Sequence, residues 1–169
     1  QGLEDQYTGQ AAEQVQDALR KLAAAVSARK GWDALFFIAD EGYCEVSAHG
    51  DAPEIKAQPL NLALKPSKPG DPWSIKLSLA DLDQALAKRG QMIGALLIAG
   101  GPAVVPFHRL PNRGDGFDAD VASDNPYGTR DENYFIPEWP VGRLTAGCGA
   151  DPAPFIETIR AAAQRHLQA

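Results

Sequence analysis

Apolar positions along the chain fall into blocks whose spacing changes, and each change predicts an element. Over 10–29, Val15, Leu19, Leu22 and Val26 recur at helical spacing with alanines on the flanks, which predicts an amphipathic helix ended by Gly31. The run Ala-Leu-Phe-Phe-Ile-Ala-Asp at 34–40 is short and almost continuously apolar, as in a strand buried on both faces. Residues 43–48 supply its hairpin partner. Between 51 and 72 stand Pro53, Pro59, Pro66, Pro69 and Pro72. They predict a loop or an edge excursion, because proline donates no ladder hydrogen bond. Trp73, Ile75, Leu77 and Leu79 then alternate as on a half-buried strand. Ser78 with Asp81 has the form of a capping box opening a helix over 78–89, with Leu79, Leu82 and Leu86 on one face and Gly90 as its stop. Residues 94–100, Gly-Ala-Leu-Leu-Ile-Ala-Gly, predict a second buried strand.

A long irregular stretch over 101–133 is rich in Pro, Gly, Asp and Asn, and 139–143 has the look of a short edge strand. Asp151 as N-cap and Pro152 at the first helical position start a terminal helix whose apolar face is Phe155, Ile156, Ile159 and Ala163. Buried strands alternating with helices predict an α/β fold: a three-layer sandwich with a mainly parallel sheet flanked by helices and right-handed crossovers. Function would then sit in loops at the carboxyl ends of the strands. With 169 residues and no internal repeat, the whole of 1–169 fits one α/β subdomain.

Charge narrows the partners. A net charge of −6 argues against a nucleic-acid backbone and against an anionic membrane surface. No apolar run approaches the ~20 residues that span a bilayer. The chain opens on Gln1 with no basic segment leading into an apolar one, so a processed or excised piece is the expectation. The two cysteines, Cys44 and Cys148, could form one disulfide, but two thiols are the preferred reading.

Four constellations could carry chemistry. Asp115, Asp118, Asp120, Asp124 and Asp131 crowd one loop. Such oxygen-rich loops bind Ca²⁺, and Asp118, Asp120 and Asp124 are the candidate ligands of a structural calcium; the spacing is not that of an EF-hand. The alternative is a solvated loop using Asp for its turns. His49-Gly50 lies five residues beyond Cys44. In an extended strand that separation puts the two side chains on opposite faces about 16 Å apart, so an ordinary loop histidine is the better reading. Cys148 sits just before the terminal helix, where a thiol can have a lowered pKa. His108 or His166 could serve it as base, against the simpler reading of a small residue in a turn. Gly100-Gly101-Pro102 lacks a phosphate-loop pattern, which leaves no nucleotide cofactor to expect.

A longer ordered set lies across these pieces. The buried strand ends in Gly100, Pro106 follows, then Ser123-Asp124-Asn125-Pro126-Tyr127-Gly128, then Pro137-Glu138-Trp139-Pro140-Val141-Gly142-Arg143-Leu144 and a helix. This order resembles the gingipain family of cysteine peptidases, peptidase family C25. The matching positions are Gly100, Pro106, Asp124, Tyr127, Pro137, Glu138, Gly142 and Arg143, and the resemblance covers about residues 80–168. One departure is Gly101, where the family usually has Asp.

The resemblance implies two side-by-side caspase-like subdomains, of which this chain is the first and non-catalytic one. The family's catalytic histidine and cysteine lie well downstream of the Gly-Arg motif, so the catalytic subdomain is expected beyond Ala169, in the same protein or as a second chain. There a thiolate would attack the scissile carbonyl of a peptide substrate and an imidazole would protonate the leaving amine. A secreted or cell-surface setting follows if the likeness to gingipains holds. The alternative function is a caspase-like binding or regulatory module without chemistry, which could be cytoplasmic. A third and weaker alternative is an unrelated flavodoxin-like ligand-binding domain. From the residues alone, Gly142 suits close backbone approach at an edge strand. Arg143 can form a bidentate bond to a carboxylate, with Asp124 as partner, pinning the long loop to the sheet.

Overall fold

The computed structural model describes residues 2–47, 57–112, 119–131, 134–145 and 149–168. They form a mixed α/β fold with three small sheets. A short helix α1, Gly2–Gln6, leads into α2, Gly9–Ser27, which buries Ala12, Val15, Ala18, Leu19 and Leu22 along one face. The hairpin then appears where the hydrophobic run placed it. Strand β1, Leu35–Ile38, pairs antiparallel with β2, Tyr43–Ser47, setting Phe37 opposite Cys44 and Phe36 opposite Glu45. The proline-rich excursion contributes only an edge strand, β3, Ala57–Pro59, on the far side of β2.

The alternation at Trp73, Ile75, Leu77 and Leu79 is not a strand. Helix α3 spans Pro72–Ala87, beginning six residues before the expected start. Its cap is Asp71, whose Oδ1 accepts the backbone N–H of Trp73 at 3.0 Å and of Ser74 at 3.2 Å, with Pro72 in the first turn. The buried stripe is Ile75, Leu79, Leu82 and Leu86, a spacing of four, three and four, while Leu77 faces outward and Trp73 is half exposed, one side of its ring against His108. Ser78, expected as a cap, lies inside the helix, and its hydroxyl donates to the Lys65 carbonyl at 3.3 Å. The helix closes as a Schellman turn: Gly90, at φ +72°, donates to the Ala87 carbonyl and Gln91 to that of Leu86, both at 3.0 Å.

Strand β4, Leu96–Ala99, pairs in parallel with Val141–Leu144, in the register Leu96–Val141 through Ala99–Leu144. Among the described residues this is the parallel component of the sheets. Strand β4 is less enclosed than its sequence predicts, because Leu97 is 52% exposed and lies over Gly142, where no side chain covers it. The stretch read as irregular holds a hairpin, β5, His108–Pro111, with β6, Asp120–Ser123, followed by a 3₁₀ turn, Asn125–Gly128. Its Asp and Asn content masked the short strands. In chain order Val141–Leu144 is β7, and the last helix, α4, is Ala153–Leu167. It starts just after the expected position, with the Asp151 carboxylate accepting the Ala153 N–H at 2.9 Å.

Two apolar clusters organise these elements. Phe155, Ile156 and Ile159 of α4 close on Val15, Leu19 and Leu22 of α2, joined by Phe36, Ala99 and Leu144. The second gathers Ile75, Leu79, Leu82 and Leu86 of α3 with Cys44, Ile98 and Tyr127, joined by Leu35, Phe37, Leu96 and Val141.

Capping assignments separate cleanly by mutation. Asp71→Ala is expected to lower stability by about 1 kcal/mol in urea unfolding. Asp81→Ala, at an exposed position in mid-helix, should fall within about 0.5 kcal/mol of the parent.

Candidate functional site

Strand β7 carries Arg143 into the junction between the β4–β5 loop and the 3₁₀ turn. Its Nε–H donates to Asp124 Oδ2 at 2.8 Å and its Nη2 to Asp124 Oδ1 at 2.5 Å, a bidentate pair. Its Nη1 donates to the carbonyls of Gly100 at 2.9 Å and Val105 at 2.8 Å. The ring of Phe107 lies 4.4 Å from the guanidinium carbon, a cation–π contact. The Arg143 side chain is only 7% exposed. A planar fork with several fixed donors can meet a carboxylate and two carbonyls at once, which an ammonium on a flexible stem cannot do in the same geometry. Gly100 makes its carbonyl available by adopting φ +117°, and a Cβ there would lie 2.8 Å from that of Val104.

Tyr127 sits beside this knot. Its hydroxyl donates to the Pro106 carbonyl at 2.6 Å, and its own carbonyl accepts from Trp139 Nε1 at 3.2 Å. The Glu138 N–H bonds to Gly128 O at 2.8 Å. So Gly100, Pro106, Asp124, Tyr127 and Arg143 meet in one place, with Glu138 tied to the end of the same turn. Gly142 faces away, beneath Leu97.

The opposite side of the 3₁₀ turn is held by Lys76 of α3. Its buried ammonium donates to the carbonyls of Pro126 at 3.0 Å and Thr129 at 2.8 Å and to Thr129 Oγ1 at 2.5 Å. Burial lowers its pKa, while Glu138 and Asp131 pull the other way. Further along α3, buried Asp83 pairs with Arg130 Nε at 2.6 Å and accepts the Ile93 N–H at 3.3 Å. Lys76 and Asp83 are hidden by the two-residue alternation over 73–79, which splits the single helix α3 into a strand and a shorter helix. With the start at Asp71, two charged residues seven positions apart fall within the apolar stripe, which is a readable sign of buried polar duty.

The other candidates fall only partly within the described residues. His49, Asp115, Asp118 and Cys148 lie outside the described residues. Asp120 pairs with Arg109 at 3.0 Å on the surface, and Asp124 belongs to Arg143. Among the described residues no group of three or more His, Cys, Asp or Glu is gathered to hold a metal. His166 Nδ1 lies 3.2 Å from Arg29 Nη1, and His108 is fully enclosed between Trp73 and Tyr127. Cys44 is buried, and that burial, with Glu45 adding to it, pushes its thiol up to about 11, leaving an unreactive group at neutral pH. No family model, curated protein or solved structure matches this chain.

Removing one partner of a buried ion pair strands the other charge. Arg143→Met and Asp124→Ala should therefore each cost about 3–5 kcal/mol in urea unfolding. The double variant should cost less than the sum by about 1–3 kcal/mol; simple additivity would show that the two side chains are not coupled.

Proposed function

We propose that this chain is a non-catalytic supporting subdomain of gingipain-like organisation, serving a partner subdomain or second chain whose Cys–His pair hydrolyses peptide bonds. The observation that carries this reading is the convergence of the resemblance-bearing residues. Gly100, Pro106, Asp124, Tyr127 and Arg143 bond to one another rather than pointing outward, which is the behaviour of residues that shape a loop. Arg143 directs Nε, Nη1 and Nη2 at protein acceptors, so positioning is favoured over substrate contact.

The finer architecture proposed is the three-layer sandwich, with β1, β4 and β7 as its middle. What supports it is the division of alternate side chains between the two clusters. Leu35 and Phe37 of β1, Leu96 and Ile98 of β4 and Val141 of β7 join α3, whereas Phe36, Ala99 and Leu144 join α2 and α4. Alternation of this kind is expected of strands covered by helices on both faces.

The test is intact-mass analysis of the native protein, followed by an active-site thiol probe. A second chain or subdomain should take the label while Cys44 stays unmodified at pH 7. Labelling of Cys148 in this chain would overturn the division of labour. Absence of any thiol-reactive partner in the native assembly would favour the binding-module reading instead.

A further inference from the structure

His108 has an unusual setting. Its side chain is fully buried at the start of β5, opposite Ser123 in the hairpin register. Trp73 of α3 and Tyr127 of the 3₁₀ turn lie T-shaped to the ring, with centroids 4.7 and 4.6 Å away. Among the described residues, neither ring nitrogen finds a hydrogen-bond partner. A neutral imidazole strands one donor and one acceptor in such a box, whereas an imidazolium strands two donors and an unpaired charge, which costs more.

The charged groups that face it offer little relief. From α3 come the Lys76 ammonium, which repels, and the Asp71 carboxylate; from the start of the 3₁₀ turn comes Asp124. Asp71 is engaged by the N–H groups of its own cap, and Asp124 by the Arg143 fork. The remaining titratable neighbour, the Tyr127 phenol, is pushed far up by burial and keeps its proton. Arg109, next to His108 in β5, is turned to Asp120 on the surface.

We propose that His108 is an acid-sensitive latch: protonating its imidazole loosens β5, β6 and the 3₁₀ turn from α3 while the α2–α4 core stays folded. The device stands apart from the peptidase-support reading and holds for a binding module equally. Its sign follows from linkage. Burial first, then Lys76, push the enclosed imidazole down from 6.5 to about 4. Above pH 6.5 both open and closed forms are neutral and pH has no effect. Between 6.5 and about 4 the open form carries a proton that the closed form lacks, so opening gains about ten-fold per pH unit. Below about 4 both forms are protonated and the gain levels off, at an overall factor on the order of 10².

The experiment is amide hydrogen exchange on the whole chain from pH 7 to 4, corrected for intrinsic rates. Residues 108–111 and 120–129 should lose protection steeply below pH 6.5 while α2 keeps its own. His108→Phe, which retains the aromatic box, should abolish that response. Loss of protection in α2 in step with the hairpin would mean global acid unfolding and would sink the proposal. So would an unchanged acid response in His108→Phe, or no pH dependence in the parent. If His108→Phe does not fold, a ¹⁵N imidazole titration of the parent protein decides. Protonation in step with hairpin opening supports the latch, and protonation near 6.5 with the hairpin still protected overturns it.

Discussion

A buried guanidinium admits few solutions, and the solution adopted by Arg143 sets the shape of a large part of this molecule. Removing such a charge from water is costly unless a carboxylate and further acceptors surround it. Here the acceptors come from two separate stretches: Gly100 and Val105 at either end of the loop beyond β4, and Asp124 at the start of the 3₁₀ turn. Satisfying one side chain therefore fixes the path of the chain from the end of β4 into β5 and places the turn after β6. The Tyr127–Pro106 bond adds a second tie between the same loop and turn.

Lys76 meets the same constraint differently. Three neutral oxygens from Pro126 and Thr129 surround its ammonium. The 3₁₀ turn is thus gripped from two sides, by a cation on β7 and a cation on α3. This arrangement also explains the state of His108, which packs against the same turn. Burial first, then the Lys76 ammonium, disfavour the charged imidazole, and the neighbouring Asp124 carboxylate is committed to Arg143.

Elements with a strong local signal were legible in the sequence. The α2 stripe and the apolar face of α4 stand where spacing put them, because each buries a single periodic face, and β1 and β4 stand where continuous apolar runs put them, because their two faces join different clusters. Misreadings arose where two periods overlap. Trp73, Ile75, Leu77 and Leu79 satisfy a two-residue alternation, yet only Ile75 and Leu79 are buried, and the Asp71-Pro72 cap decides the matter in favour of a helix. The β5–β6 hairpin was hidden because its strands carry His, Arg, Asp and Ser, and its stability comes from tertiary contacts to Trp73 and Tyr127. The Asp124–Arg143 pair was readable because guanidinium and carboxylate are complementary at any sequence distance. Its two carbonyl acceptors were not readable, since every residue has one and only the fold selects them.

The polar character of the junction has its own logic. Buried ion pairs contribute little net stability compared with apolar packing of the same volume, so strength alone does not account for an Arg–Asp fork at this place. A fork does what packing does poorly: it accepts one geometry and rejects neighbouring ones, because each misplaced acceptor leaves a buried donor unpaired. The knot stands at the carboxyl end of the β4–β7 parallel pair, the end at which α/β folds present their loops for function. Positional uniqueness, more than added stability, is what the Arg143 environment supplies to the loop from Gly100 to Val105 and to the 3₁₀ turn.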